Sequence, residues 1–331
     1  MSRPALTHVK ARLGRPARFL LVLMVVTGAV SAFLNHDIVC YAFTPIVGAA
    51  LLRERINPVP FLIALAMASN IGAAATLIGS PQNMLIGAVA GLNFGRYMLW
   101  SFVPVLFALG SAYAIIWISS RNHLEPVLSE HEPSNRQAYP FNRLHTIKGL
   151  VILAVVIGLL FTRLPKEIIA LAAAGIHLAS PRFRTGQLLG LVEWPILVLF
   201  MALFVVTGAF QSTGYGVEAM RWLTHSGFDL NASPNLALTT AGLSNLINNS
   251  AAVMLLLKVV NLSKPMAAYI LAMANSFGGS LVIVGSVSNI IVVEQARDLG
   301  VRISLRDFVR LGVPVTLAAL VGLIGWVALA S

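Results

Sequence analysis

Gly79-Ser80-Pro81-Gln82-Asn83 and Gly285-Ser286-Val287-Ser288-Asn289 are two copies of the pattern G-S-x-x-N, and each copy interrupts a long apolar segment. The segments cover residues 59–91 and 266–293, where an unbroken helix would otherwise be expected. A single copy would be explained by small residues that let helices pack closely. Because the pattern occurs at matching places in both parts of the chain, it predicts two broken helices that line one binding site.

Each broken segment follows two apolar stretches that flank a short polar tip. Residues 19–34 and 38–52 flank Asn35-His36-Asp37, and residues 236–247 and 251–260 flank Asn248-Asn249-Ser250. All four arms are shorter than the ~20 residues that a spanning helix needs. We therefore expect two re-entrant helical hairpins, since irregular backbone inside a membrane must be buried in protein or line a cavity. Pairs of short full spans are the alternative, because they also return the chain to the side it left.

The composition indicates a membrane protein built from α-helices. Of the 331 residues 57% are apolar and 11% charged, with a mean hydropathy of +0.83, which leaves too little polar surface for a soluble domain. The chain divides into a first repeat (residues 1–120), a polar linker (121–146) and a second repeat (147–331). Cys40 is the only cysteine, so intrachain disulfides and cysteine-ligated metal sites are excluded, and we expect neither a metal centre nor a cofactor.

The basic residues predict an orientation in the membrane. The net charge of +11 does not indicate nucleic-acid binding, because the lysines and arginines flank apolar runs. With the N-terminus in the cytoplasm, 17 of them lie inside and 6 outside, and the two broken segments cross in opposite directions. This distribution predicts inverted repeats and a bacterial-type inner membrane. The N-terminal apolar run also resembles a signal peptide, but the matching arrangement later in the chain favours a retained helix.

The two repeats are unequal in length. Apolar segments at residues 147–162, 167–179 and 195–210 precede the second hairpin, whereas none precedes the first. By this comparison about 70 residues, or three spans of about 20 residues each, are missing from the first repeat. We therefore expect either a fragment or a start codon assigned downstream.

The candidate substrate and ion site combines the two tips, the two helix breaks and nearby asparagines. Its residues are Asn35, His36, Asp37, Asn70, Gly79, Ser80, Gln82, Asn83, Asn245, Asn248, Asn249, Ser250, Asn275, Gly285, Ser286, Ser288 and Asn289. A helix broken at glycine exposes carbonyl groups that suit cations and N–H groups that suit anions. A carboxylate in an apolar hairpin costs about 2.5–3.5 kcal/mol on insertion scales. Asp37 is therefore a candidate for binding the coupling ion, with Gly79 and Gly285 as candidate partners at a sodium site.

Four stretches carry a resemblance to a known family. They are L-N-H-D followed by T-P-I-V, S-N-I-G-A-A-A-T-L-I-G-S-P-Q-N, L-S-N-L-I-N-N-S-A-A-V-M-L and N-S-F-G-G-S-L-V-I-V-G-S-V-S-N. They resemble the ion transporter superfamily, which includes citrate carriers, arsenite efflux pumps, divalent-anion/sodium symporters and some sodium/proton antiporters. The resemblance implies an elevator-type carrier, usually a homodimer, with tips and breaks around one central site. Dicarboxylate symporters have S-N-T at both tips, and neither tip here matches, which weakens the case for sodium-coupled dicarboxylate transport.

The predicted function is secondary active transport of a small anion or oxyanion, such as a carboxylate, coupled to sodium or protons. Arsenite-type efflux and sodium/proton antiport are the alternatives within carriers. An intramembrane enzyme is disfavoured because the sequence contains neither H-E-x-x-H nor G-x-S-x-G. A channel is disfavoured because channels usually assemble their filter from identical subunits, whereas both hairpins here belong to one chain.

Overall fold

The computed structural model describes residues 16–121, 143–162, 164, 166–178, 190, 194–215, 218, 229–247, 249–263 and 265–330, and this part of the chain contains no β-strand. The α-helices within these ranges, in chain order, are α1 (Pro16–Phe33), α2 (His36–Arg53), α3 (Val59–Ala73), α4 (Pro81–Val89), α5 (Phe94–Ser120), α6 (Arg143–Leu160), α7 (Lys166–Leu178), α8 (Trp194–Ser212), α9 (Ser233–Ile247), α10 (Asn249–Val259), α11 (Pro265–Gly278), α12 (Val287–Asp298) and α13 (Leu305–Ala330).

The helices have the lengths and surfaces of a membrane protein. Among the described residues, α1, α5 and α13 are each long and apolar enough to cross a bilayer. Large apolar side chains remain exposed on the outside of the bundle, as at Leu99 and Val321. Such side chains would be costly in water and favourable against lipid. The protein is therefore a helical, multi-pass membrane protein.

Both predicted helix breaks are present. The first lies between the end of α3 at Ala73 and the start of α4 at Pro81. The second lies between the end of α11 at Gly278 and the start of α12 at Val287, and it includes a short 3-10 turn at Ile283–Gly285. Nearly all of α3 is buried, including Asn70, so the first break lies deep within the bundle.

The hairpin arms differ in length from the prediction. Helices α1 and α2 contain 18 residues each, whereas α9 and α10 contain 15 and 11. The first pair is longer because α1 already begins at Pro16 and α2 includes His36 and Asp37, which the sequence placed in the tip. At about 1.5 Å per residue such an arm is about 27 Å long, so length alone does not distinguish a re-entrant arm from a span.

The three apolar segments predicted ahead of the second hairpin are helical in the structure and form α6, α7 and α8. Residues 1–15 and most of the predicted linker, 121–146, lie outside the described residues.

Glycine allows the first hairpin to pack closely on the first broken helix. An ideal Cβ atom on Gly72 of α3 would lie 2.4 Å from the Cα atom of Gly28 on α1. The second hairpin repeats this contact, because a Cβ atom on Gly278 of α11 would lie 2.8 Å from the Cα atom of Ala241 on α9. Both contacts join backbone to backbone, so no flexible side chain is available to absorb an added methyl group.

One end of the bundle gathers most of the described arginines. The start of α1 and the end of α5 meet there, since the Tyr113 hydroxyl donates to the Ala17 carbonyl at 3.4 Å. The end of α2 meets the end of α12 at the contact between Gly48 and Leu299. The arginines at this end are Arg18, Arg53, Arg55, Arg121, Arg297, Arg302, Arg306 and Arg310. The opposite end, where α5 and α11 begin, includes Arg96 and Lys258.

The contact between α1 and α3 makes a testable prediction. Gly72→Ala should destabilise the protein by about 1–3 kcal/mol, because the added carbon forces the two backbones apart. Gly110→Ala is the matched control, since nothing lies within 4 Å of a Cβ atom there. It should be neutral or slightly stabilising, as expected for alanine replacing glycine within a helix. Thermal unfolding of both variants in detergent measures the difference, and equal melting temperatures would contradict the close contact.

Candidate substrate and ion site

The two helix breaks end in the same backbone geometry. Ser80 precedes α4 with φ −147° and ψ 152°, and Ser286 precedes α12 with φ −146° and ψ 143°. The Ser80 hydroxyl accepts a hydrogen bond from the backbone N–H of Asn83 at 3.1 Å, which caps α4, and Pro81 provides a first helical residue that needs no N–H partner. In the second break, the Ser286 and Ser288 hydroxyls bond to each other at 2.7 Å.

One asparagine stabilises each break by the same pair of hydrogen bonds. The Asn83 Nδ2 atom donates to the carbonyls of Ala73 at 3.0 Å and Thr76 at 3.2 Å. The Asn289 Nδ2 atom donates to the carbonyls of Gly279 at 2.6 Å and Val282 at 3.0 Å. In both copies the carbonyls belong to the residues ten and seven positions earlier in the chain. Each asparagine thereby satisfies carbonyl groups that the interrupted helix leaves without partners.

The first tip is attached to the first break. The Asn35 side chain caps α2 by accepting from the backbone N–H of Asp37 at 3.1 Å. The backbone N–H and the Nδ1 atom of His36 both lie 3.2 Å from the carbonyl oxygen of Gly79. His36 and Asp37 are 4% and 6% exposed, so an ionisable pair is buried where the tip meets the break.

The position of the imidazole hydrogen follows from this contact. A carbonyl oxygen only accepts hydrogen bonds, so Nδ1 carries the hydrogen and donates to Gly79. The Nε2 atom then faces the Asp37 Oδ1 atom at 3.5 Å. Oδ1 is buried and has no hydrogen-bond partner among the described residues. Two lone pairs facing each other repel, so this position suits a proton or another cation.

The second tip contacts both breaks. Asn248 lies outside the described residues, whereas Asn249 and Ser250 are buried at the start of α10. The Gln82 Nε2 atom of the first break donates to the Ser250 hydroxyl at 2.8 Å. On α9, the Asn245 Nδ2 atom donates to the Gly278 carbonyl at 2.8 Å, and its Oδ1 atom lies against Gly285.

Asn70 joins the two parts of the chain at the centre of the site. Its Nδ2 atom donates to Asn289 Oδ1 at 2.9 Å, and its Oδ1 atom accepts from the Ser288 hydroxyl at 3.3 Å. Both partners lie more than two hundred residues away in the sequence. The first broken helix therefore contributes side chains to the second break, and the site is shared between the two repeats.

Several buried oxygen atoms in this region lack hydrogen-bond partners among the described residues. They belong to the side chains of Asp37, Asn83, Asn245, Asn249 and Asn275. An unpaired buried acceptor costs about 1–3 kcal/mol, and a native structure normally contains few of them. Their concentration around the tips and breaks therefore indicates a place where a bound ion or ligand completes the coordination.

The structure places every predicted site residue except Asn248 within its described part, and most of them contact one another. The sequence prediction missed a second repeated pattern, T-x-x-x-S, at Thr27 and Ser31 and again at Thr240 and Ser244. In each hairpin the serine lies four residues before the first tip asparagine. The equal spacing of the two serines from the tips is the sequence signal by which this pattern could have been recognised. The Thr27 and Ser31 hydroxyl oxygens are fully buried and also lack partners in the described structure.

The hydrogen bonds of Asn83 make a second prediction. Asn83→Ala removes two bonds of about 1 kcal/mol each and leaves two carbonyl groups unpaired, so it should destabilise the protein by at least about 2 kcal/mol. Asn231→Ala, the same substitution at an exposed position, is the control. Thermal unfolding without ligand checks the difference, and a wild-type melting temperature for Asn83→Ala would show that the break needs no such support.

Comparisons with known proteins show the family to which the chain is similar. The model of the CitMHS citrate transporter family matches residues 1–269. An uncharacterized transporter of Mycobacterium tuberculosis is 29% identical over 96% of this chain and 78% of its own length. The inner membrane protein YbiR of Escherichia coli is 26% identical over 87% of this chain and 72% of its own.

A shorter match is to a protein whose name includes arsB. The putative transporter arsB of Dictyostelium discoideum is 35% identical over 91 residues, which are 28% of this chain and 16% of its own. These findings confirm the resemblance to the ion transporter superfamily that the tip and break motifs carried. The family match covers well over half of the sequence. The chain therefore belongs to the citrate transporter family of membrane transporters.

Proposed function

We propose that the protein is a secondary active transporter of a small anion or oxyanion, with a carboxylate as the first candidate, and that sodium or protons drive it. The observation that carries this proposal is the shared site in which side chains of the first broken helix bond to the tip and to the break of the second repeat. Gln82 reaches Ser250, and Asn70 reaches Ser288 and Asn289. Sites of this kind, formed by discontinuous helices from two repeats, are typical of secondary transporters.

The proposal includes inverted repeats with re-entrant hairpins. Four repeated features support an internal duplication: the asparagine bonds within the breaks, the T-x-x-x-S pattern, the small-residue contacts at Gly72 and Gly278, and the turns that end α4 and α12. Gly91 and Gly300 form these turns with φ angles of 61° and 77°. In each turn the next residue donates to a carbonyl five positions earlier, as in a Schellman motif.

Anion binding is supported by the helix starts at the two breaks. The first turns of α4 and α12 begin at Pro81 and Val287 beside the tips, and N–H groups at helix N-termini favour negative charge. The side-chain amide of Asn249 is a further donor beside the second break. Its Nδ2 atom lies 3.0 Å from the position that a Cβ atom would take on Gly279. A small carboxylate or oxyanion matches such neutral donors, which allow release as well as binding.

Two places suit the coupling ion. The His36 Nε2 and Asp37 Oδ1 atoms are positioned to share a proton or to bind a cation beside the Gly79 carbonyl. The second repeat has no ionisable residue at its described tip, but it contains the unpaired amide oxygens of Asn245, Asn249 and Asn275. Neutral oxygens of this kind replace the hydration shell of sodium. Gly285 belongs to this second place, because it lies against Asn245.

The proposed location is a bacterial-type inner membrane with the N-terminus in the cytoplasm. The arginine-rich end of the bundle contains the start of α1, and positive charge favours the cytoplasmic side. Following the family resemblance, we expect a homodimer and no cofactor.

Oxyanion or arsenite-type efflux is the second candidate. The stretch that matches the Dictyostelium protein named arsB supports it. A thiol-based arsenic site within one chain is excluded, because Cys40 is the only cysteine, is fully buried and bonds to Ser69 at 3.0 Å. An arsenite substrate would therefore bind through its hydroxyl groups.

A ligand screen distinguishes these functions. Citrate, succinate, sulfate, arsenite and sodium are tested separately for thermal stabilisation of the purified protein. A true ligand at a hundred times its Kd stabilises by about 2.7 kcal/mol, and we expect this from a carboxylate. Asn249→Ala should lose the effect, whereas the exposed control Asn231→Ala should keep it. Stabilisation by arsenite alone would favour the second candidate, and stabilisation by none of the anions would contradict anion transport.

The coupling role of Asp37 makes a further prediction. Asp37→Asn preserves the shape of the side chain and removes its charge, so transport in proteoliposomes should lose its dependence on the pH or sodium gradient. Glu54→Gln is the matched control, because Glu54 is an exposed carboxylate that follows the end of α2. Ion dependence that persists in Asp37→Asn would show that coupling occurs elsewhere, with the amide oxygens of the second repeat as the next candidates.

A further inference from the structure

A cleft lies at the arginine-rich end of the bundle, where α12 connects to α13. Its volume is about 580 Å³, and its lining residues are Val293, Arg297, Val301, Arg302, Ile303 and Ser304. These residues lie outside the substrate and ion site. The cleft therefore combines two exposed guanidinium groups with apolar side chains at an end of the bundle where helices reach the membrane surface.

The backbone around the cleft is well defined. Gly300 adopts φ 77°, and the Val301 N–H donates to the Ala296 carbonyl at 2.9 Å, which closes a Schellman turn after α12. Val301 and Ile303 are each 8% exposed, so their side chains anchor the connection to the bundle. This arrangement holds Arg297 and Arg302 on either side of a rigid turn.

The corresponding connection in the first repeat lacks these features. Helix α4 contains nine residues and is followed by Ala90, Gly91, Leu92 and Asn93, the last of which caps α5. Helix α12 contains twelve residues, and two more residues separate its glycine from the cap of α13 at Ser304. The longer helix and longer connection supply both Arg297 and Arg302. The cleft is thus an addition to the second repeat, and the shared substrate site does not require it.

The charges of the two arginines are not neutralised within the described structure. Neither guanidinium forms a salt bridge with a described residue. The acidic residues on the two helices are Glu294 and Asp298 on α12, and Asp307 on α13, which is engaged by Ser304. The four arginines Arg297, Arg302, Arg306 and Arg310 outnumber these three acids. Asp307 accepts from the Ser304 hydroxyl at 2.6 Å and from its backbone N–H at 3.2 Å. Arg306 and Arg310 add further positive charge on the same end. The cleft therefore attracts anions.

We propose that this cleft binds the headgroup of an anionic phospholipid. Guanidinium groups bind phosphate through two parallel hydrogen bonds, and Arg297 and Arg302 would supply them. The half-buried Val293 offers an apolar contact for the start of an acyl chain, which a free phosphate ion would not use, while the largely buried Val301 and Ile303 complete the lining. Basic pockets between helices at the membrane surface are known to recognise anionic lipids. The lipid bound here is distinct from the transported anion.

The experiment is native mass spectrometry of the detergent-solubilised full chain with phosphatidylglycerol or phosphatidylcholine added. Wild-type protein should retain phosphatidylglycerol and not phosphatidylcholine, and 5 mM inorganic phosphate should not displace it. The double variant Arg297→Gln/Arg302→Gln should bind phosphatidylglycerol about 25-fold more weakly, at about fivefold per arginine. The double variant Arg297→Lys/Arg302→Lys keeps the charge and should lose only part of the binding. Arg96→Gln, at the opposite end, should bind as the wild type does.

Three results would overturn the proposal. Equal retention of the two lipids by wild-type protein would show that no anionic headgroup is recognised. Displacement of phosphatidylglycerol by phosphate would identify the cleft as a site for free anions. Unchanged retention by the glutamine double variant would place any bound lipid elsewhere, and thermal unfolding in lipid-free detergent would confirm that this variant is folded.

Discussion

A helix that stops inside a membrane must find partners for its free backbone groups, and this constraint organises the centre of the protein. Water is absent from the hydrocarbon region, so every carbonyl that the interruption exposes needs a donor from the protein. Asn83 and Asn289 meet this need with two hydrogen bonds each. The Tyr97 and Ser101 hydroxyls of α5 donate to the carbonyls of Ala74 and Ala75, which follow the end of α3. The breaks are therefore fixed elements that present defined backbone groups to a ligand.

The side-chain bonds between the two repeats explain why the site is a single unit. The Asn70 side chain bonds to residues of the second break through both its amide nitrogen and its oxygen, and Gln82 bonds to the second tip. The two tips differ in their side-chain chemistry. One contains the ionisable residues His36 and Asp37, whereas the described part of the other contains the neutral residues Asn249 and Ser250. In the proposed transporter, the unequal tips would provide separate places for a substrate and a coupling ion.

The sequence predicted the helix breaks well, because glycine weakens a continuous helix. Most of the predicted site residues lie close together in the structure, and their role in binding stays a prediction. It was less accurate for the helix arms, since Pro16 extends α1 and the Asn35 cap draws His36 and Asp37 into α2. It did not predict that Asn289 would be fully engaged by protein groups, as its amide nitrogen bonds to two carbonyls and its oxygen to Asn70. The contact with Asn70 joins residues 219 positions apart, and local patterns contain no information about it. The orientation and pairing of the repeats remain predictions.

The backbone contact at Gly72 has a mechanical consequence. Where two helices meet through glycine, as α1 and α3 do, there is no layer of side chains that could slide or change rotamer. The hairpin and the broken helix are therefore expected to translate as one stiff piece, with the ligand cage inside it undistorted. Helix α13 meets the second break in the same way, because Gly312 lies against the backbone carbonyls of Ser280 and Leu281. Helices α5 and α13, in contrast, meet through a side chain, since Gly322 of α13 lies against the ring of Phe107.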